Sequence, residues 1–283
     1  MRLKSLQSIL AIFLLITTAC TPKTGRATEI PGEALNNKGD INSRDRTVTV
    51  LAAASLTESF TELGTMFQDN NPGVAIIFNF GGSQLLAEQL NQGAEADVFA
   101  SASNKYMDAV IESKRVSTKD VQIFTRNRLV VVYPKSNPAE LKVLQDLADP
   151  GVKLVLADKS VPVGLYSLEF LEKAAIDPGF DSLYQDKVLN NVVSNEDSVK
   201  SVLTKVVLGE ADAGIVYITD ITPAAAEKVG KMEIPDTLNT IAKYPIAPIT
   251  DSKNGDLAEA FVTLVLSPEG QQVLAKYGFI PVK

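Results

Sequence analysis

Two serines stand where this chain could hold an anion. Ser55 lies in VTVLAAASLTESF (residues 48–60) and Ser83 in FNFGGSQLLAEQL (residues 78–90). In each, an apolar β-type run passes through small residues into a serine and then into a stretch with helical spacing. A helix that begins there points its unpaired amides at whatever lies beyond, and the hydroxyl adds a donor. Ser55-Leu56-Thr57-Glu58 also fits the S/T-x-x-E capping box, so Ser55 is expected to open a helix. The plainer alternative is a pair of ordinary N-caps, with Gly81-Gly82 serving only as a turn.

Two more junctions follow the same plan. Val161-Pro162-Val163-Gly164 precedes a helical stretch over 165–175, and SNEDSV (residues 194–199) precedes one running towards Leu208. In the second, Asp197 or Ser198 would cap and the amides around Val199 would be free donors. The fifth feature is GEADAGIVY (residues 209–217), a turn feeding a strand that ends in Tyr217. Taken singly, these read as a turn, a solvated cap and a core tyrosine.

Composition removes most rival chemistries. The chain has no histidine and a single cysteine, Cys20, so disulfides, zinc sites and histidine-assisted serine or cysteine catalysis have no raw material. GxSxG, Ser-x-x-Lys and the GxxxxGK[ST] phosphate loop are absent as well, which argues against an enzyme. Without residues 1–19 the chain carries 34 acidic against 25 basic side chains, a net charge of −9, so nucleic acid is not an expected partner.

Several kinds of segment must position these residues. Residues 1–19 combine Arg2 and Lys4, the apolar run ILAIFLLI and small residues ahead of Cys20, the layout of a cleaved export signal. The run is too short for a permanent membrane span. Thr17-Thr18-Ala19-Cys20 resembles a bacterial lipobox, which usually carries Leu where Thr17 stands; lipidation of Cys20 is therefore expected. Residues 20–46, rich in Pro, Gly, Asn and charge, read as a flexible tether. From Thr47 onward, short β-branched runs alternate with amphipathic stretches, which makes the fold class α/β with mostly parallel sheets. Strands are expected at 48–53, 74–80, 97–100, 129–133, 153–157, 188–193, 213–217 and 245–249.

These pieces, in this order, resemble the periplasmic molybdate-binding proteins of ABC transporters. The resemblance runs from Val48 to the C-terminus and rests on AAASL (52–56), FGGS (80–83), GAEADVFASA (93–102), NRLVVVYPK (127–135), VPVGLY (161–166), GEADAGIVY, YPIAPI (244–249) and KYGF (276–279). It implies a two-lobed, type II periplasmic-binding-protein fold, with residues 47–127 plus 245–283 in one lobe and 128–244 in the other. NRLVVVYPK and YPIAPI would be the two crossover strands that form the hinge. It also implies an extracytoplasmic monomer that captures molybdate or tungstate and delivers it to a membrane permease, with no cofactor beyond that cargo. The oxyanion would be held by the hydroxyls and amides of Ser55 and Ser83, the amides of Val163 and Val199, and the hydroxyl of Tyr217. Asp197-Ser198-Val199 carries one residue more than the tighter form of the motif, which leaves Ser198 as the substitute for Val199. Binding proteins for another tetrahedral oxyanion, such as sulfate, are the alternative.

The residue types suit such cargo. A fully ionised tetrahedral oxyanion offers only acceptors, so its site needs donors and no carboxylates. Hydroxyls and helix-terminal amides supply diffuse positive potential without leaving an unpaired cation when the site is empty. With no ionisable contact, affinity is expected to be flat from about pH 6 to 9.

Overall fold

A computed structural model describes residues 46–282. The expected export signal, most of the tether and Cys20 lie outside the described residues. Eleven strands are described: β1 (Arg46–Ala53), β2 (Val74–Gly81), β3 (Val98–Ala100), β4 (Gln122–Asn127), β5 (Leu129–Pro134), β6 (Leu154–Ala157), β7 (Val192–Glu196), β8 (Ala213–Tyr217), β9 (Val229–Glu233), β10 (Ala242–Pro248) and β11 (Ile280–Pro281). The helices are α1 (Thr57–Asn70), α2 (Ser83–Asn91), α3 (Asn104–Glu112), α4 (Pro162–Ile176), α5 (Tyr184–Asn190), α6 (Val199–Val207), α7 (Pro223–Ala226), α8 (Gly255–Leu266) and α9 (Pro268–Lys276). The strands form two sheets, in the orders β11-β4-β10-β3-β1-β2 and β7-β6-β8-β5-β9. This is the expected α/β, two-lobed architecture.

Both sheets are mixed, not mostly parallel as the alternation of strand and helix suggests. Parallel pairing is confined to β3-β1-β2 and to β7-β6-β8, where helical crossovers return the chain in the same direction. The strands next to the lobe-to-lobe crossings, β4, β5, β9 and β10, pair antiparallel. The buried, near-continuous runs of β1 and β8 sit inside the sheets, whereas β2 alternates exposed and half-buried residues at an edge.

The chain crosses between sheets at Arg128, between β4 and β5, inside the NRLVVVYPK piece. It returns between β9 and β10, upstream of YPIAPI, which itself forms most of β10 in the first sheet. Asn239 ties the two crossings together: its Oδ1 accepts from the Leu129 amide at 3.0 Å, and its Nδ2 donates to the Leu129 carbonyl at 2.8 Å. Pro245 is tolerated in an interior strand because the ladder shifts register between Tyr244 and Pro245.

Three further sequence expectations differ from what is observed. The strand placed at 188–193 is the end of α5 followed by β7, because Tyr184 and Val188, four residues apart, bury together on a helical face. The strands β4 and β9 gave little apolar signal; β4 buries Thr125 and Asn127 as well as Phe124. Ser55 does not build a capping box. It lies in a 3-10 turn, Ala54–Leu56, α1 begins at Thr57, and the helix has no side-chain cap.

Candidate functional site: a small buried cavity lined by hydroxyls and helix amides

The parallel strands aim their carboxyl ends at one place. Ala53 at the end of β1 pairs with Gly81 at the end of β2, and Ala52 pairs with Ala100 at the end of β3. Two residues beyond these ends stand Ser55, Ser83 and Ala102. In the second sheet, β8 ends at Tyr217, while the chain leaving β6 and β7 leads into the N-termini of α4 and α6. Ligands of open α/β sheets sit at such carboxyl edges. Ser55, Ser83, Val163, Val199 and Tyr217 all line a single small cavity between the two sheets, together with Gly82 and Ala102. No charged side chain among the described residues lines it. All five are buried.

Each donor has a structural reason to face the cavity. Pro162 is the first residue of α4 and has no N–H, so the first amide this helix offers is that of Val163. Ser198 caps α6, its Oγ accepting from the Ser201 amide at 3.3 Å, so Val199 is the first helical residue. The expected substitute, Ser198, therefore serves as the cap, while Val199 lines the cavity. Gly82 caps α2, and Ser83 follows as its first residue.

The hydroxyls are able to donate into the cavity. The Ala102 amide donates to Ser83 Oγ at 3.0 Å, leaving the Ser83 proton to point elsewhere. Arg128 N donates to Asn127 Oδ1 at 3.0 Å, which fixes that amide so that Asn127 Nδ2 donates to Tyr244 Oη at 3.3 Å. Tyr244 Oη and Ser55 Oγ, 2.8 Å apart, share a hydrogen bond that either hydroxyl can donate; with Tyr244 as donor, the Ser55 proton is free for the cavity. Tyr217 Oη is buried without a hydrogen-bond partner among the described residues. Burial holds the Tyr217 phenol well above its ordinary pKa, with the neighbouring Tyr244 adding to the rise, so it stays protonated as a donor. A buried unpaired hydroxyl is costly, and the Tyr217 proton is available to an acceptor in the cavity.

Asn127, Tyr244 and Ala102 escaped the sequence reading as site residues, although all three lie inside the quoted motifs. For Tyr244 the signal available was a polar side chain inside the otherwise apolar run of β10; Asn127, in the polar strand β4, and Ala102, beyond the end of β3, carried none. Tyr244 is fully buried, edge-on to Tyr217 with ring centroids 5.9 Å apart, and edge-on to Phe279 of the KYGF piece at 5.6 Å.

Two α/β lobes around a cleft of hydrogen-bond donors define a solute-binding protein of the two-lobed type. The sequence agrees: the family model for bacterial extracellular solute-binding proteins matches residues 48–280, and the chain belongs to that family. It is 37% identical over 234 residues to the molybdate-binding protein ModA of Mycobacterium bovis, covering 83% of this chain and 84% of that protein. It is 30% identical over 256 residues to the molybdate-binding protein ModA of Escherichia coli, covering 88% and 92%. Among solved structures, the periplasmic molybdate-binding protein of Azotobacter vinelandii superposes with a TM-score of 0.71 at 19% identity, covering 83% of this chain and all of that one, a likeness of fold.

Proposed function

We propose that this protein captures molybdate or tungstate in the interlobe cavity and delivers it to the permease of an ABC transporter, without catalysing a reaction. The observation that carries this reading is the donor-only cavity: hydroxyls of Ser55, Ser83 and Tyr217 and helix-terminal amides at Val163 and Val199, with no carboxylate. Such a lining suits an anion that has only acceptors and rejects one that must donate a proton. Relatives named as molybdate-binding proteins, similar over most of the chain, support the choice of ligand. The first sheet and its helices, with β10 (Ala242–Pro248) and the residues after it included, would move as one lobe against the second sheet and its helices, hinged at the Asn239-tied crossings, and an anion touching both lobes would favour closure by binding the closed state better. The protein would work as a monomer outside the cytoplasm, held to the membrane by lipid on Cys20.

Calorimetry of the protein with molybdate, tungstate, sulfate and phosphate tests the assignment. A ligand that binds only the native state adds about 4 kcal/mol of stability at roughly a thousand times its Kd. Molybdate and tungstate should therefore bind and raise Tm by several degrees. Binding by sulfate alone would overturn the ligand and leave the fold standing.

A further inference from the structure

One charged pair joins the lobes. Lys200, on the first turn of α6 beside Val199, places its ammonium 2.9 Å from both carboxylate oxygens of Glu58, on the first turn of α1. Its other neighbour is Asp220 Oδ1 at 3.4 Å, on the same lobe as Lys200. Every other ion pair among the described residues lies within one lobe or at the Arg128 crossing. The remaining cross-cleft hydrogen bonds, such as Gln84 Nε2 to the Asp197 carbonyl at 2.9 Å, use a neutral side chain.

The placement of Lys200 is poor for its own helix. A cation on the first turn opposes the macrodipole, so helix stability does not explain it. What it gains is position: Glu58 lies three residues after Ser55, and Asp220 Oδ2 accepts from the Tyr217 amide at 3.1 Å. The ammonium thus touches carboxylates that follow two cavity donors, Ser55 and Tyr217, by three residues each, on opposite sides of the cleft, and itself follows a third, Val199. Asp220 is fully buried and its Oδ1 has no hydrogen-bond partner among the described residues, so Lys200 is the cation that compensates it. Without the ammonium, two carboxylates would flank a cavity meant for a dianion.

We propose that Lys200 is a positioning residue that latches the lobes: it stays with Asp220 when the cleft is open and captures Glu58 only on closure, so that the ion pair adds to anion affinity. This rests on the functional reading above. Because the partners are partly exposed, with side chains 27% and 33% accessible, the pair contributes modestly and is sensitive to salt.

The test is a double-mutant cycle on the Kd for molybdate with Lys200→Met, Glu58→Gln and the double variant, at about 50 and 500 mM salt. Each single change should raise Kd by roughly three- to tenfold, chiefly through faster release, and the double variant should be no weaker than Lys200→Met alone. Lys200→Arg should restore most of the affinity. High salt should weaken wild type more than Glu58→Gln. The Tm of the ligand-free Glu58→Gln protein should stay near wild type, which separates a latch from a general stabilising contact. Wild-type Kd in both single variants, or fully additive losses, would overturn the latch. If wild type binds none of the four anions, the functional reading fails instead. The latch is then decided by X-ray scattering: it stands if ligand-free wild type is more compact than Glu58→Gln at low salt and falls if the two coincide.

Discussion

Gly82 and Asp197 approach across the cleft so closely that a Cβ on Gly82 would lie 2.6 Å from the Asp197 carbonyl oxygen. Gly82 has an ordinary extended backbone, φ −62°, so its lack of a side chain is required not by its own conformation but by its surroundings: the Gln84 side chain of its own lobe, 2.5 Å from such a Cβ and able to turn away, and the Asp197 backbone of the opposite lobe, which is not. Gly82→Ala should therefore leave the open protein folded and obstruct closure. The expected result is a Kd for molybdate raised at least about tenfold, equivalent to about 1.4 kcal/mol, with the ligand-free Tm near wild type. Titration and melting of the same preparation check it. Equal affinity would mean that closure brings these backbones less close.

Removing the cavity hydroxyls should act on binding more than on folding. Ser55→Ala, Ser83→Ala and Tyr217→Phe each delete a hydrogen bond to a charged acceptor, worth roughly 1.5–3 kcal/mol, or about ten- to a hundredfold in Kd. Tyr217→Phe should also raise the ligand-free Tm slightly, because Tyr217 Oη has no partner to lose. Tyr244→Phe should weaken binding less than Ser55→Ala, since it frees the Ser55 hydroxyl to rotate without deleting it. Lost stability with wild-type affinity in both serine variants would reduce Ser55 and Ser83 to structural residues.

How much of this was legible in the sequence depended on the distance over which each signal acts. The β1 and β2 junctions were readable because strand, small residues, serine and helix follow one another within a dozen positions. The second sheet was less so: Val188 looks like a strand residue until Tyr184 is placed one helical turn before it. Ser55 and Glu58 satisfied a local capping rule, but the fold gives each a remote partner instead, Tyr244 for Ser55 and Lys200 for Glu58. Asn127 and Tyr244, 117 positions apart in sequence, meet only when β4 and β10 pair. No local pattern carries such information.

The anchor and the cavity should be separable. Cys20→Ala is expected to move the protein from the detergent phase to the aqueous phase without changing the Kd for molybdate, because acyl chains hold a protein by buried hydrocarbon alone. Phase partitioning of wild type and variant checks it. A wild type found wholly in the aqueous phase would favour a plain secretory signal.

Proton linkage separates stability from binding in a way that the contact residues alone did not suggest. Burial raises the Asp220 carboxyl to about 6, against the opposing pull of Lys200 and of the Tyr217 amide. The unfolded chain releases that proton near pH 4, so between about pH 4 and 6 the native state holds a proton that the unfolded state has lost. For this group, stability is therefore greatest below about pH 4, falls as pH rises through that window and is level above it. Asp220→Asn should remove this fall, so that its stability relative to wild type improves by on the order of 2–3 kcal/mol between pH 4 and 6, read from denaturant midpoints across that range. Binding follows a different course. Asp220 is already ionised above about pH 7 and every proposed contact is a neutral donor, so the Kd for molybdate should be flat from about pH 7 to 9. Below about pH 6.5, protonation removes a negative charge near the bound dianion, and affinity should rise, narrowing the flat range expected from the sequence. Calorimetry in buffers of different ionisation enthalpy should detect proton uptake on binding near pH 6 in wild type and none in Asp220→Asn. Uptake of equal size in both proteins would assign the proton to another group.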